Sequence, residues 1–268
     1  MSDSDAVDPF SVNGLNTVIV GGTAGIGLAV AARLVSCGAT VTVTGRRAEG
    51  ESLAASIGAR FVRMDIADRG SVAEGFASIL SDTPHIDCLI LNAGVDMFHG
   101  EIDDLDLDTF ERVFDINTLG LVRSLAHGVN AMSAGGSIIV TSSPAGSIAA
   151  PGMAAYSASK AALDMLVRSW ALELGPKQIR VNSVLPGIVE SEMDAASTAE
   201  LEVIRRMTAN GVYRRAEEMG PVFQFLASPA SAPLTGSMVG AHDGISIGYS
   251  HEAMGLIASG VDEGDTDG

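Results

Sequence analysis

Tyr156 and Lys160 are the two side chains in this sequence best suited to moving a proton between them and a substrate. They stand four residues apart in Ala155-Tyr156-Ser157-Ala158-Ser159-Lys160, which on a helix puts them on one face, a turn apart. A free phenol titrates at about 10 and exchanges protons poorly at neutral pH. A neighbouring ammonium stabilises the phenolate, so Tyr156 is expected to have a depressed pKa. A phenol tuned in this way suits proton exchange with an alcohol or carbonyl oxygen. Ser143, in Ser142-Ser143-Pro144, lies thirteen residues before Tyr156. Its hydroxyl can hydrogen-bond the same oxygen and stabilise charge that develops there. A tyrosine alone is usually a packing residue and a lysine alone a solvated charge, so the combination carries the chemistry.

These residues must be held by rigid elements, and the chain has them. Residues 16–20, 40–44, 60–64, 86–91, 136–141 and 180–185 are short apolar or β-branched runs that read as strands, with helical patterns between them. Alternation of this kind implies crossover connections and a parallel sheet covered by helices on both faces. The expected architecture is a single-domain α/β, Rossmann-type, doubly wound sheet over residues 13–248. Residues 1–12 read as a loose N-terminal arm and 249–268 as a partly disordered, acidic C-terminal tail. Ser143 then falls at the end of the fifth strand, on the carboxyl edge of the sheet where ligands gather.

The first strand runs into Gly21-Gly22-Thr23-Ala24-Gly25-Ile26-Gly27, and a helix follows. Gly21 permits a tight exit from the strand, while Gly25 and Gly27 let the backbone approach a pyrophosphate. The helix N-terminus offers free N–H groups to the anion. A glycine cluster alone is a weak signal, but one between a strand and a helix points to a dinucleotide. The second strand ends in Gly45-Arg46-Arg47, where an acid would grip the ribose hydroxyls of NAD. A guanidinium instead pairs with a phosphate, so NADP(H) is favoured over NAD(H).

The GxxxGIG turn and the Ser…YxxxK pattern together resemble the classical short-chain dehydrogenase/reductase family, over about Asn13 to Gly248. Val20 stands where the family turn has threonine, and Ala24 where it often has a second basic residue. The resemblance implies an oxidoreductase that interconverts a carbonyl and a secondary alcohol by hydride transfer, with Tyr156 as general acid/base and Ser143 orienting the carbonyl. It also implies that Lys160 holds the nicotinamide ribose as well as tuning Tyr156, and that Asn117 anchors a water linked to the lysine. The cofactor contacts implied are Gly21, Thr23, Ala24, Gly25, Ile26 and Gly27 at the phosphates and Arg46 and Arg47 at the ribose phosphate. Asp65 and Ile66 would border the adenine, and Asn92, Ala93 and Gly94 would back the adenosine. Tyr156, Lys160, Pro186, Gly187, Ile188 and Ser191 would surround the nicotinamide. A substrate lid is expected over about 190–213, with a helix from Thr198 to Ala209 opened by the Ser197-Thr198-Ala199-Glu200 capping box and stopped at Asn210-Gly211. Met97, Met153, Met193, Val203, Ile204 and Met207 could line the cleft, although core packing is the commoner use of methionine. The family is usually tetrameric, so a homo-oligomer, tetramer or dimer, is implied. The apolar stripe Leu163, Leu166, Val167, Trp170 and Leu174 suits a core or an interface equally. Ala241-His242-Asp243-Gly244 departs from the family's Val-Asp-Gly-Gly and could alter a subunit contact or the pocket rim.

Composition limits the alternatives. The 268 residues are 47% hydrophobic with 31 glycines and 4% aromatics, which suits a close-packed α/β sheet. The formal net charge of −17 disfavours nucleic acid and anionic membrane as partners. Cys37 and Cys88 read as reduced thiols of a cytoplasmic protein, and no leader or membrane span is read in the chain. The five histidines, His85, His99, His127, His242 and His251, show no metal-ligand spacing, and no metal is assigned. The partner expected is a small carbonyl or alcohol. The rival of a different class is a non-catalytic dinucleotide-binding regulator on the same fold, which would be expected to lack a catalytic group. Carbon–carbon double-bond reductases and dehalogenases of related fold use another Tyr–Lys spacing or lose the glycine turn.

Overall fold

A computed structural model describes residues 8–190, 202–203 and 206–255. The strands are β1 (Asn16–Val20), β2 (Thr40–Gly45), β3 (Arg60–Arg63), β4 (Ile86–Leu91), β5 (Met132–Thr141), β6 (Arg180–Pro186), β7 (Val189–Glu190), β8 (Arg214–Arg215) and β9 (Met238–Ala241). The helices are α1 (Gly25–Ser36), α2 (Gly50–Ser56), α3 (Arg69–Asp82), α4 (Leu107–Phe114), α5 (Leu121–Gly128), α6 (Ala154–Leu174) and α7 (Gly220–Ala227). Seven strands form one parallel sheet in the order β3-β2-β1-β4-β5-β6-β9. Strand order reverses direction between β1 and β4, which makes their carboxyl ends the expected ligand crevice of a doubly wound sheet.

The sheet is buried on both faces, which explains its continuous apolar strands. Along β4, Leu89 and Leu91 pack with Phe76, Ile79, Leu163 and Val167 on one side. Cys88 and Ile90 pack with Val30, Leu34, Ile139 and Phe223 on the other, as the two-residue period of a strand requires. Leu163, Val167, Trp170 and Leu174 of α6 belong to the core. The stripe left open between core and interface is therefore core, and the exposed large apolar residues of α6 are Met165 and Leu172.

Two expectations about element ends need correction. Strand β5 begins at Met132, not Gly136, because Met132 pairs with Ile86 across a register shift that tolerates the small residues between. The arm expected to be loose is docked over its described part. Val12 is buried, Phe10 packs 6.1 Å from Phe225, and the Pro9 and Phe10 carbonyls accept from Ala230 N and Gln224 Nε2. The lid's capping box, Met193, Ile204 and Ser191, and the end of the acidic tail lie outside the described residues. Residues 251–255 of the tail form a helical turn. Among the described residues, no helix is long and apolar enough to cross a membrane.

Candidate active site

The glycine turn is built by close approach. Gly21 has φ of 83°, and a Cβ there would meet the Ala93 backbone at 2.5 Å. A Cβ on Gly27 would collide with the Gly21 carbonyl and the Asn92 amide. Asn92 Nδ2 in turn donates to Gly21 O at 2.7 Å, fastening the end of β4 to the turn after β1. Helix α1 starts at Gly25 behind Ala24, which supplies no side-chain cap. Its first N–H groups therefore point at the crevice, where phosphate oxygens would satisfy them. These features fit a bound dinucleotide.

A cleft of about 400 Å³ runs along this turn. It is lined by Gly21, Thr23, Ala24, Gly25, Arg46, Arg47, Asp65, Ile66, Asn92, Ala93 and Gly94, all expected cofactor contacts. Thr44, Gly45, Met64, Val95 and Ile116 also line it and were not anticipated as contacts. A Cβ on Gly45 would lie 2.5 Å from Thr23 Oγ1, so a side chain here would require Thr23 to shift. Arg47 Nη2 reaches Thr23 O at 3.5 Å, bringing a guanidinium beside the turn that has only Ala24. Arg63 Nε donates to Arg46 O at 3.2 Å. At the end of this cleft Asp65 Oδ1 accepts from Ala67 N, and Ile66 is buried against Gly120.

A second cleft, of about 280 Å³, shares Gly25, Asn92, Gly94 and Val95 with the first and so continues it. It holds Ser143, Tyr156, Lys160, Ile26, Pro186 and Gly187, together with Asp96, Thr141, Ser142, Val189 and Glu190. Gly27 lines neither cleft and supports the turn from behind. Ile188 is 40% exposed and also lines neither, although its neighbours Gly187 and Val189 do.

Tyr156 and Lys160 lie on one face of α6, with Lys160 Nζ 5.5 Å from the Tyr156 ring centre. Ser143 and Tyr156 line the same cleft, and the Ser143 hydroxyl, which accepts from Ala145 N at 3.2 Å, lowers the phenol's pKa. Lys160 is buried, and its ammonium donates to Thr141 O at 2.9 Å. Thr141 Oγ1 donates to Asn92 Oδ1 at 2.9 Å, so one chain of bonds joins Lys160 to the glycine turn. Asn117 sits in a π-helical turn, Asp115–Gly120, a form that recurs at functional sites. Its Oδ1 accepts from Val95 N at 2.7 Å, and its Nδ2 donates to Val95 O and Ser159 Oγ. Asn117 and Lys160 face each other across Gly94, where a Cβ would stand 3.3 Å from Asn117 Oδ1 and 3.5 Å from Lys160 Nζ.

The expected depression of the Tyr156 pKa is not what the protein's own groups produce. Burial pushes the phenol above its ordinary value and the Asp96 carboxylate adds to this, while the Ser143 hydroxyl pulls it down. Burial also lowers Lys160 to about 8, opposed by Asp164 and Asp96. Asp96 is thus an acidic member of the site that the sequence did not single out. It follows Asn92-Ala93-Gly94 by two residues, in a stretch with no period to read.

The rim is held by strands β7 and β8, which pair Val189 with Arg214. Arg214 grips Asp243 through two bonds, Nε to Oδ2 at 3.0 Å and Nη2 to Oδ1 at 2.8 Å. Asn210 Nδ2 bonds the same carboxylate at 2.6 Å, and Gly211 turns the chain with φ of 68°. The 241–244 stretch therefore fastens residues 210–214 through Asp243. A larger hollow of about 540 Å³, between 208–211 and 250–255, contains none of Asn117, Ser143, Tyr156 and Lys160. No cluster of metal-binding side chains occurs among the described residues.

A family model described as enoyl-(acyl carrier protein) reductase matches residues 21–246. Short-chain dehydrogenase reductase 5 of Arabidopsis thaliana is 34% identical over 248 residues, covering 88% of this chain and 96% of the relative. The cyclic-di-GMP-binding biofilm dispersal mediator protein of Escherichia coli is 32% identical over 84% of this chain and 94% of its own. A Burkholderia cenocepacia short-chain dehydrogenase solved in complex with NADP superposes with a TM-score of 0.83 at 29% identity, over 89% of this chain and 100% of that one. The glycine cradle, the Ser143–Tyr156–Lys160 cluster and these likenesses together make the chain a member of the classical short-chain dehydrogenase/reductase family and a dinucleotide-dependent oxidoreductase.

Proposed function

We propose that the protein interconverts a carbonyl and a secondary alcohol on a small molecule, using NADP(H) in preference to NAD(H), with Tyr156 as the general acid/base. The observation that carries this reading is the Tyr156 phenol, one helical turn from the buried Lys160 and sharing with Ser143 a cleft continuous with the glycine cradle. The bound nicotinamide supplies or accepts the hydride. In the reductive direction Ser143 donates a hydrogen bond to the carbonyl oxygen and stabilises its growing negative charge. Tyr156 passes its phenolic proton to that oxygen, and the Lys160 ammonium steadies the phenolate left behind. Thr141 O holds the ammonium, and Asn117 holds Val95 and Ser159 on either side of it. Pro186, Gly187 and Ile188 follow β6 at the nicotinamide end, with Ser191 beyond them.

Gly45 and the two guanidinium groups after it support NADP(H). The Tyr–Lys spacing of four supports carbonyl rather than carbon–carbon double-bond reduction. Exposed Met165 and Leu172 on α6 support a homo-oligomer, dimer or tetramer, and the free thiols Cys37 and Cys88 fit a cytoplasmic setting. A second reading, a dinucleotide-binding regulator on this fold, draws support from the name of the E. coli relative.

The test is absorbance loss at the reduced-nicotinamide band with NADPH, and separately NADH, across a panel of ketones and aldehydes. Turnover preferring NADPH, with the preference lost in Arg46→Ala, is expected. Turnover with NADH alone would overturn the cofactor assignment, and cofactor binding without turnover would favour the regulator.

A further inference from the structure

We infer that His99 is a positioning residue: its imidazole Nε2 caps the N-terminus of the helix that carries Tyr156 and thereby sets where the phenol stands. This rests on the reading of Tyr156 given above. The first N–H groups of any helix lack partners within it. Helix α6 begins behind Met153, which has no side-chain oxygen to accept one. The Ala155 N–H, one residue before Tyr156, donates instead to His99 Nε2 at 3.0 Å, from 56 residues away.

His99 is only 2% exposed, and its ring stands edge-on to Phe110 with centroids 5.5 Å apart. A nitrogen that accepts a hydrogen bond carries its lone pair there, so the ring proton sits on Nδ1. That Nδ1 is buried with no hydrogen-bond partner among the described residues. An unpaired buried N–H is unfavourable. Leucine or phenylalanine would fill the same space without it, so bulk alone does not account for an imidazole here. The acceptor does.

The ring is itself held in place. Asp106 N donates to His99 O at 2.8 Å, and Gly100 turns the chain beside it with φ of 81°. The same loop is gripped at Val95 by Asn117. The loop after β4 therefore holds the catalytic machinery at two points, through Asn117 and through His99. His99 touches no reacting atom. Slack in the first turn of α6 would move the phenol relative to Ser143 and open it to water.

The test compares wild type with His99→Leu, which keeps bulk and loses the acceptor, and His99→Gln, whose amide oxygen can replace it. Tyr156→Phe identifies the Tyr156 titration by difference. Three readouts are taken: amide exchange at Ala155, phenol titration by absorbance, and kcat and KM with NADPH and a ketone. His99→Leu is expected to speed Ala155 exchange more than about tenfold, move the Tyr156 titration down toward the ordinary phenol value, and lower kcat on the order of ten- to a hundredfold with KM for NADPH unchanged. His99→Gln should recover most of each. A His99→Leu protein matching wild type in exchange and phenol titration would overturn the inference, as would His99→Gln failing as badly as His99→Leu. If wild type turns over no ketone, the proposed function fails, while exchange and titration still decide the cap.

Discussion

Lys160 is the residue where burial and charge oppose each other most directly. Its ammonium is lowered to about 8 by desolvation and held up by Asp164 and Asp96. Burial moves Tyr156 the other way, so the lysine loses its proton first as pH rises. Ketone reduction should therefore be full below pH 8 and fall as pH rises through about 8. Asp164→Asn removes a carboxylate that favours the charged lysine, so it should move that limb to lower pH. A limb that stays in place in a pH–rate profile of this variant would assign it to another group. The same site shows what one sequence can reveal at residue scale. Ser143, Tyr156 and Lys160 were legible because spacing along one strand end and one helix fixes their faces. Asp96 and His99 were not, because each acts from an aperiodic loop on a helix more than fifty residues later. Nor did the sequence show that burial would raise the phenol's pKa.

At the scale of elements, the crevice depends on β1, α1 and β4 meeting without side chains between them. Gly21→Ala would place a methyl 2.5 Å from the Ala93 backbone in a conformation, φ of 83°, that alanine rarely adopts. This variant should lose dinucleotide affinity and lower Tm, measured by cofactor fluorescence titration and thermal melting. A strain of about 1–2 kcal/mol from the left-handed backbone alone, before the clash, sets the minimum. Unaltered affinity would mean that the turn is not the phosphate cradle. The strands and the glycine turn could be read directly, because buried parallel strands are apolar runs and the turn needs glycine. The π-helical turn at Asn117 left no such mark, since Asp115-Ile116-Asn117-Thr118 reads as ordinary helix. The early start of β5 was hidden by Ser133-Ala134-Gly135-Gly136, small residues that normally end a strand.

Across the whole molecule, 33 acidic against 16 basic side chains give a net charge of −17. Such an excess repels itself in the compact state. Raising salt from about 0.01 to 0.5 M shortens the Debye length from about 30 Å to a few ångströms. Tm should accordingly rise with sodium chloride over this range, followed by circular dichroism. A fall would show that specific ion pairs such as Arg214–Asp243 outweigh the general repulsion. The doubly wound architecture was legible from strand and helix alternation. The docking of residues 8–12 on α7 was not, because a short polar stretch with one phenylalanine looks like a free end until its partner, Phe225, is in view.

The central claim is that Tyr156 transfers the proton while the cofactor transfers the hydride. Its most direct test is the rate of NADPH-dependent ketone reduction by Tyr156→Phe beside wild type, with cofactor affinity measured in both. The account predicts that kcat falls by about 10² or more, the usual contribution of a positioned acid or base, while NADPH binds as before. A Tyr156→Phe protein that reduces ketones at the wild-type rate would contradict it.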